Sequence, residues 1–235
     1  AVGEDDVERE VEEDAFGEDD LGADELEGDK LEGEVDGSLR NRLDGELSEY
    51  VHSRDVSEAL SLCAARGAVG YLFEAIILRS LEEKSGTTSA LCSLLSSVCT
   101  AFPRRAANAA RAGVRLCLEM LEDVLIDAPQ ANLRLAEIVA TLAIKGTLPL
   151  PELCALVREV LPADAESGGE GGGDASPSAF GVQVLKALVV LSGPAHAHAL
   201  IGANGELARL ALAALCGAEG GAELERAGAG YLLAD

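Results

Sequence analysis

The sequence predicts an all-α protein built from antiparallel helical hairpins. Three observations predict it. Apolar residues recur three and four positions apart from Leu43 onward, no segment alternates with period two, and Gly or Pro breaks each periodic stretch after about 10–18 residues. Short connections between helices of that length make neighbours in sequence into neighbours in space. No crisp repeat is visible, so any solenoid is degenerate.

The chain opens on charge. Of a formal net charge of −24 over 235 residues, two-thirds falls in residues 1–37, where 18 acidic residues face only Arg9 and Lys30. Like charges repel, and too little apolar surface is present to offset the ordering entropy. Residues 1–42 therefore read as a disordered acidic arm, either a linker or a surface for basic partners. A start at Ala1 without Met suggests a piece of a longer chain, with neither a signal nor a transit peptide at its beginning.

Order is expected from near Leu43. Asp55-Val-Ser-Glu58 has capping-box spacing, ahead of Val56, Ala59, Leu60 and Cys63. Val69, Leu72, Phe73, Ile76, Ile77 and Leu81 form the next stripe, ended by Gly86. Leu91, Leu94, Leu95 and Val98 make a third, with a cap at Thr87 or Thr88. Pro103 opens a longer helix through Val114, Leu118, Leu121 and Leu125, and Asp127-Ala-Pro129 punctuates it. Leu135, Ile138, Val139 and Leu142 follow, up to Gly146, and Leu153, Leu156 and Val160 mark one more helix. Residues 161–179, rich in Gly and Ser, read as a loop or linker. Residues 180–235 add further hairpins, with short helices near 195–202 and 205–216, packing on the preceding module.

Composition excludes several classes. A phosphate-tracking surface needs clustered Lys and Arg, and a single-strand platform needs aromatics. Here aromatics are 3% and Trp is absent, so no direct DNA or RNA partner is expected. No run of about 18 apolar residues occurs, and no membrane span is expected. The six cysteines stand singly among apolar neighbours and read as buried small hydrophobes of a reduced, cytoplasmic protein. His196 and His198, two apart, diverge on a helix, and no phosphate-binding loop or nucleophile elbow is present. Neither a cofactor, a metal nor an enzymatic activity is expected. Arg104, Arg111 and Arg115 share a helix face, which reads as solvated or paired with nearby acids.

One cluster stands apart, Leu121-Glu122-Asp123-Val124-Leu125-Ile126-Asp127-Ala128-Pro129. Asp123 and Asp127 lie i,i+4, side by side on a continuous helix, where like charges repel and oppose the dipole of the helix C-terminus. Asp127 has a second reading as N-cap of the helix after Pro129. A projecting acidic pair at such a corner suits bidentate capture of a partner's Arg.

Read in order, these residues resemble the MA-3 (MI) domain family, an α-helical, HEAT-like module of translation regulators. The resemblance runs over residues 48–160. It is carried by Glu49-Tyr50, Asp55-x-x-Glu58-Ala59, Leu72-Phe73-Glu74, Leu121-Glu122-Asp123-x-x-x-Asp127-x-Pro129, Leu135-Ala136-Glu137-Ile138-Val139 and Gly146-Thr-Leu-Pro-Leu-Pro-Glu152-Leu153. The pattern is most similar to the copy in initiation factor 4 gamma, the scaffold of the cap-binding complex. The resemblance implies a non-catalytic module that binds the DEAD-box RNA helicase initiation factor 4A and touches mRNA only through the complex. Asp123 and Asp127, with Glu122 and Pro129, would carry that contact. A repressor resembling programmed cell death protein 4, or a nuclear splicing or ribosome-assembly relative, is the alternative within the family. An acidic-tailed chaperone of basic proteins is the alternative outside it.

Overall fold

The computed structural model describes residues 35–82, 85–161, 176–226 and 228–233. Residues 1–34 of the acidic arm and 162–175 of the Gly-rich stretch lie outside the described residues. Among the described residues ten α-helices follow in order: α1 (Gly37–Ser53), α2 (Ser57–Leu62), α3 (Ala68–Glu82), α4 (Ser85–Ala101), α5 (Pro103–Asp127), α6 (Ala131–Ile144), α7 (Leu150–Val160), α8 (Pro177–Ser192), α9 (Pro194–Ala203) and α10 (Glu206–Arg226). A 3₁₀ turn, Gly230–Leu232, closes the described chain. No strand occurs among the described residues, and the fold is all-α.

Helix α1 begins six residues earlier than the expected onset at Leu43. Its register explains why. Leu39, Leu43, Leu47 and Tyr50 fall four, four and three apart on one face, and the last three are buried. Their packing outweighs the polar remainder of the helix. Arg54 ends α1 in the left-handed conformation (φ 62°), with its N–H bonded to the Tyr50 carbonyl. The expected capping box does not form, and the N-cap position of α2 is Val56, with no side-chain cap bond. The Asp55 carboxylate accepts from the Ser57 N–H at 2.9 Å, but Glu58 reaches across to Arg42 at 3.3 Å instead of back to the cap. Gly86 and Thr88, expected as a stop and a cap, lie inside α4, and Thr88 is fully buried.

The core follows the apolar stripes. Phe73, Ile76 and Ile77 of α3, Leu91, Leu94 and Leu95 of α4, Val114 of α5, and Leu135, Ile138 and Val139 of α6 are completely buried. Helix α3 lies closely along α5 and also packs on α6. Gly113 permits the approach, because a Cβ there would stand 2.8 Å from Ile77 Cδ1.

The later helices continue the same core: α6 packs on α8, and α10 packs on both α8 and α7. One cluster of buried side chains runs from Leu47 to Leu232. Gly193, at φ 80° and ψ 158°, turns the chain sharply from α8 into α9, a conformation open essentially to Gly alone. Helix α10 runs ten residues past the expected end at 216. Gly217 (φ 63°, ψ −177°) breaks it locally, and the chain returns to helix and buries Leu224.

All six cysteines are buried and free. Desolvation pushes their thiols up, to about 12 for Cys117 and Cys216 and about 11 for Cys63 and Cys154. Thiolate chemistry is suppressed at such sites. Among the described residues no single helix is long and apolar enough to cross a membrane.

Candidate functional site

Helix α5 is the longest described element, and its side chains divide into an anchored face and a free end. The anchored face buries Ala106, Ala110, Val114, Cys117, Leu118 and Leu121. At its start, the part-buried Arg105 guanidinium donates to the carbonyls of Cys63 at 3.0 Å and Ala65 at 2.6 Å, tying α5 to the α2–α3 connection. Farther along, Arg111 meets Glu152 at 3.0 Å and Arg115 meets Glu159 at 2.7 Å, so two ion pairs join α5 to α7. Arg115 also holds Glu119 of its own helix at 3.1 Å. The arginine stripe seen in the sequence thus pairs with neighbouring acids at Arg111 and Arg115, while Arg104 is exposed.

After Arg115, α5 has no further basic residue, and its last turn has none to complement the helix dipole. Glu122, Asp123 and Asp127 are exposed, and within the described structure none of the three takes part in a hydrogen bond or ion pair. The cations nearest in sequence are already engaged, Arg115 by Glu119 and Glu159, and Arg134 by Glu137 at 3.3 Å. The two aspartates lie one turn apart on the same face, as their spacing predicts.

Asp127 is not the cap of the next helix. It is the last residue of α5, and the N-cap position of α6 is Gln130, with no side-chain cap bond. The corner is built by the backbone instead. The Ala128 N–H closes α5 on the Val124 carbonyl at 2.8 Å, and the Ala131 N–H bonds the Ala128 carbonyl at 2.9 Å across the exposed Pro129. Proline has no N–H to leave unsatisfied in that turn. Val124, Leu125 and Ala128 rest on the core and hold the corner against the bundle. The structure therefore brings Glu122, Asp123, Asp127 and Pro129 onto one solvent-facing helix end.

One residue at this end was not singled out from the sequence. Ile126 is 78% exposed, and Met120, nearly two turns back, is 40% exposed. Three apolar residues in succession, Val124, Leu125 and Ile126, do not reveal which one faces out. Elsewhere, His196 and His198 are exposed, and His198 lies beside the Tyr231 ring at 6.2 Å. Among the described residues no group of three His, Cys, Asp or Glu side chains could hold a metal ion.

The stacked helical hairpins thus carry an acidic corner that is unpaired among the described residues. Residues 46–149 match the family model of the MA3 domain. The matched segment spans α1 from Glu46 to the connection before α7, and it contains the whole acidic corner. No curated protein matches the chain.

Proposed function

We propose that this chain is a non-catalytic piece of a cytoplasmic translation-initiation scaffold of the initiation factor 4 gamma kind, docking a DEAD-box helicase of the initiation factor 4A kind. The observation that carries the reading is the pair Asp123 and Asp127, held one turn apart at a helix end with no partner among the described residues. Unpaired carboxylates at a rigid corner are preorganised for charge-assisted bonds to Arg or Lys on another protein. Such docking tethers the helicase or shifts its balance between open and closed forms, and mRNA is reached only through the complex. The family's association with translation supports the setting, and the α5–α6 corner supplies the contact.

The test is a binding titration of the full chain against the purified helicase near physiological ionic strength, beside an Asp123→Ala/Asp127→Ala variant. Circular dichroism checks that the variant is folded. The reading expects binding by the wild type and a loss of about tenfold or more in the variant, ~1.4 kcal/mol. A folded wild type that does not bind overturns it. The chaperone reading is favoured by the −16 charge of residues 1–37, and deleting 1–34 separates the two. Capture of basic clients would vanish, whereas helicase docking would persist.

A further inference from the structure

We infer that Ile126 is the apolar anchor of this docking corner, and that its partner presents an apolar recess bordered by Arg or Lys. The inference rests on the helicase-docking reading and deepens it.

Ile126 is 78% exposed. It is absent from the side chains that pack on the core, which include its neighbours Val124, Leu125 and Ala128. Largely exposed, this side chain adds little to the core. A β-branched residue on an exposed helix surface is also a poorer helix former than Ala, Glu or Lys.

A single exposed apolar residue is ordinary on any protein surface, but the surroundings of Ile126 are not. By helical spacing it adjoins Glu122 at i−4 and Asp123 at i−3, with Asp127 next along the same helix end, and all three carboxylates are exposed and unpaired within the described structure. The arrangement is an apolar knob within an acidic rim. Interfaces concentrate their binding energy in a desolvated apolar centre, while rim charges set approach and orientation. Charge complementarity fixes the partner chemistry: basic groups around a recess large enough for a sec-butyl side chain.

The experiment uses the full chain and the purified initiation factor 4A-type helicase near physiological ionic strength. Wild type is compared with Ile126→Ala, Ile126→Glu and Asp123→Asn/Asp127→Asn, with thermal melts confirming that each is folded. The anchor predicts that Ile126→Ala weakens binding about tenfold, ~1.4 kcal/mol. Ile126→Glu should lose at least as much, although it adds a negative charge to an acidic site. If Ile126→Glu binds as tightly as wild type or tighter while the aspartate variant still loses affinity, the anchor is overturned and the corner acts through charge alone. If wild type does not bind, the docking reading falls and takes the anchor with it.

Discussion

Replacing Asp123 and Asp127 together with Asn deletes two charges while nearly preserving shape and helix propensity. Both residues sit in the last two turns of α5, with no basic residue in the last turn and no ion pair among the described residues. Asp127 therefore opposes the helix dipole at its negative end, a cost of roughly 0.3–1 kcal/mol at low ionic strength. Mutual repulsion at i,i+4 adds about 0.2–0.5 kcal/mol. Asp123, a turn farther in, contributes little more, since the dipole effect decays within the last turn. The double variant is expected to be more stable than wild type by about 0.5–1.5 kcal/mol, a rise in Tm of roughly 1–6 °C for a chain of this size. On the proposed docking the same change weakens helicase binding, so stability and binding are expected to move in opposite directions. Thermal or urea denaturation followed by circular dichroism at low and at physiological salt measures it, and the gain should shrink as salt screens the charges. A destabilised double variant would refute the reasoning, because it would show that the carboxylates serve the fold.

Further expectations follow from the packing. Gly193→Ala, placing a Cβ where φ is 80° and ψ is 158°, should cost about 1–3 kcal/mol, read from the shift in urea midpoint. Arg105→Ala strips two carbonyls of a charged donor and should destabilise by about 2–4 kcal/mol, given roughly 1.5–3 kcal/mol per bond to a charged group and partial replacement by water. Arg105→Lys should recover only part of that, since one ammonium does not reproduce the guanidinium fork. The buried thiols set an alkaline limit. Their folded values lie above the ordinary 9.0, reaching about 12 at Cys117 and Cys216. The stability they protect is complete below pH 9 and is lost between pH 9 and about 12, as the unfolded chain ionises and the folded one does not. A thiol reagent at neutral pH should accordingly label the native chain far more slowly than the urea-unfolded one.

The helices that could be read from the sequence are those with dense apolar stripes. Val69 through Leu81 on α3, the leucines of α4 and Leu135 through Leu142 on α6 bury the sides their spacing assigns. The start of α1 was hidden because Leu39 and Leu43 are isolated among Asp, Arg, Asn and Gly next to an acidic run, and only tertiary contact gives them value. Glu58 satisfied a local capping pattern, yet Arg42, sixteen residues away, took its carboxylate. The continuation of α10 was hidden by Gly217 and Gly220, which read as breaks until their neighbours are known. Gly220 faces Val182 so closely that a Cβ would stand 2.7 Å from it.

The acidic corner was legible in its spacing, since i,i+4 aspartates share a face on any helix that includes both. Its unpaired state was not legible. Glu119, on the same helix, looks equivalent in sequence, but Arg115 holds it, and only the fold shows that the carboxylates at 122, 123 and 127 have no such partner among the described residues. The same limit applies to Ile126, whose exposure depends on how α5 rolls against α3 and α7.

Backbone hydrogen–deuterium exchange of the full chain, with and without the factor 4A-type helicase, tests the central claim most directly. The account predicts that slowing of exchange centres on residues 120–131, the end of α5 and the turn into α6, with α8 and α9 unchanged. Unaltered exchange at that corner in a complex that does form, or protection confined to α8–α9, would contradict it.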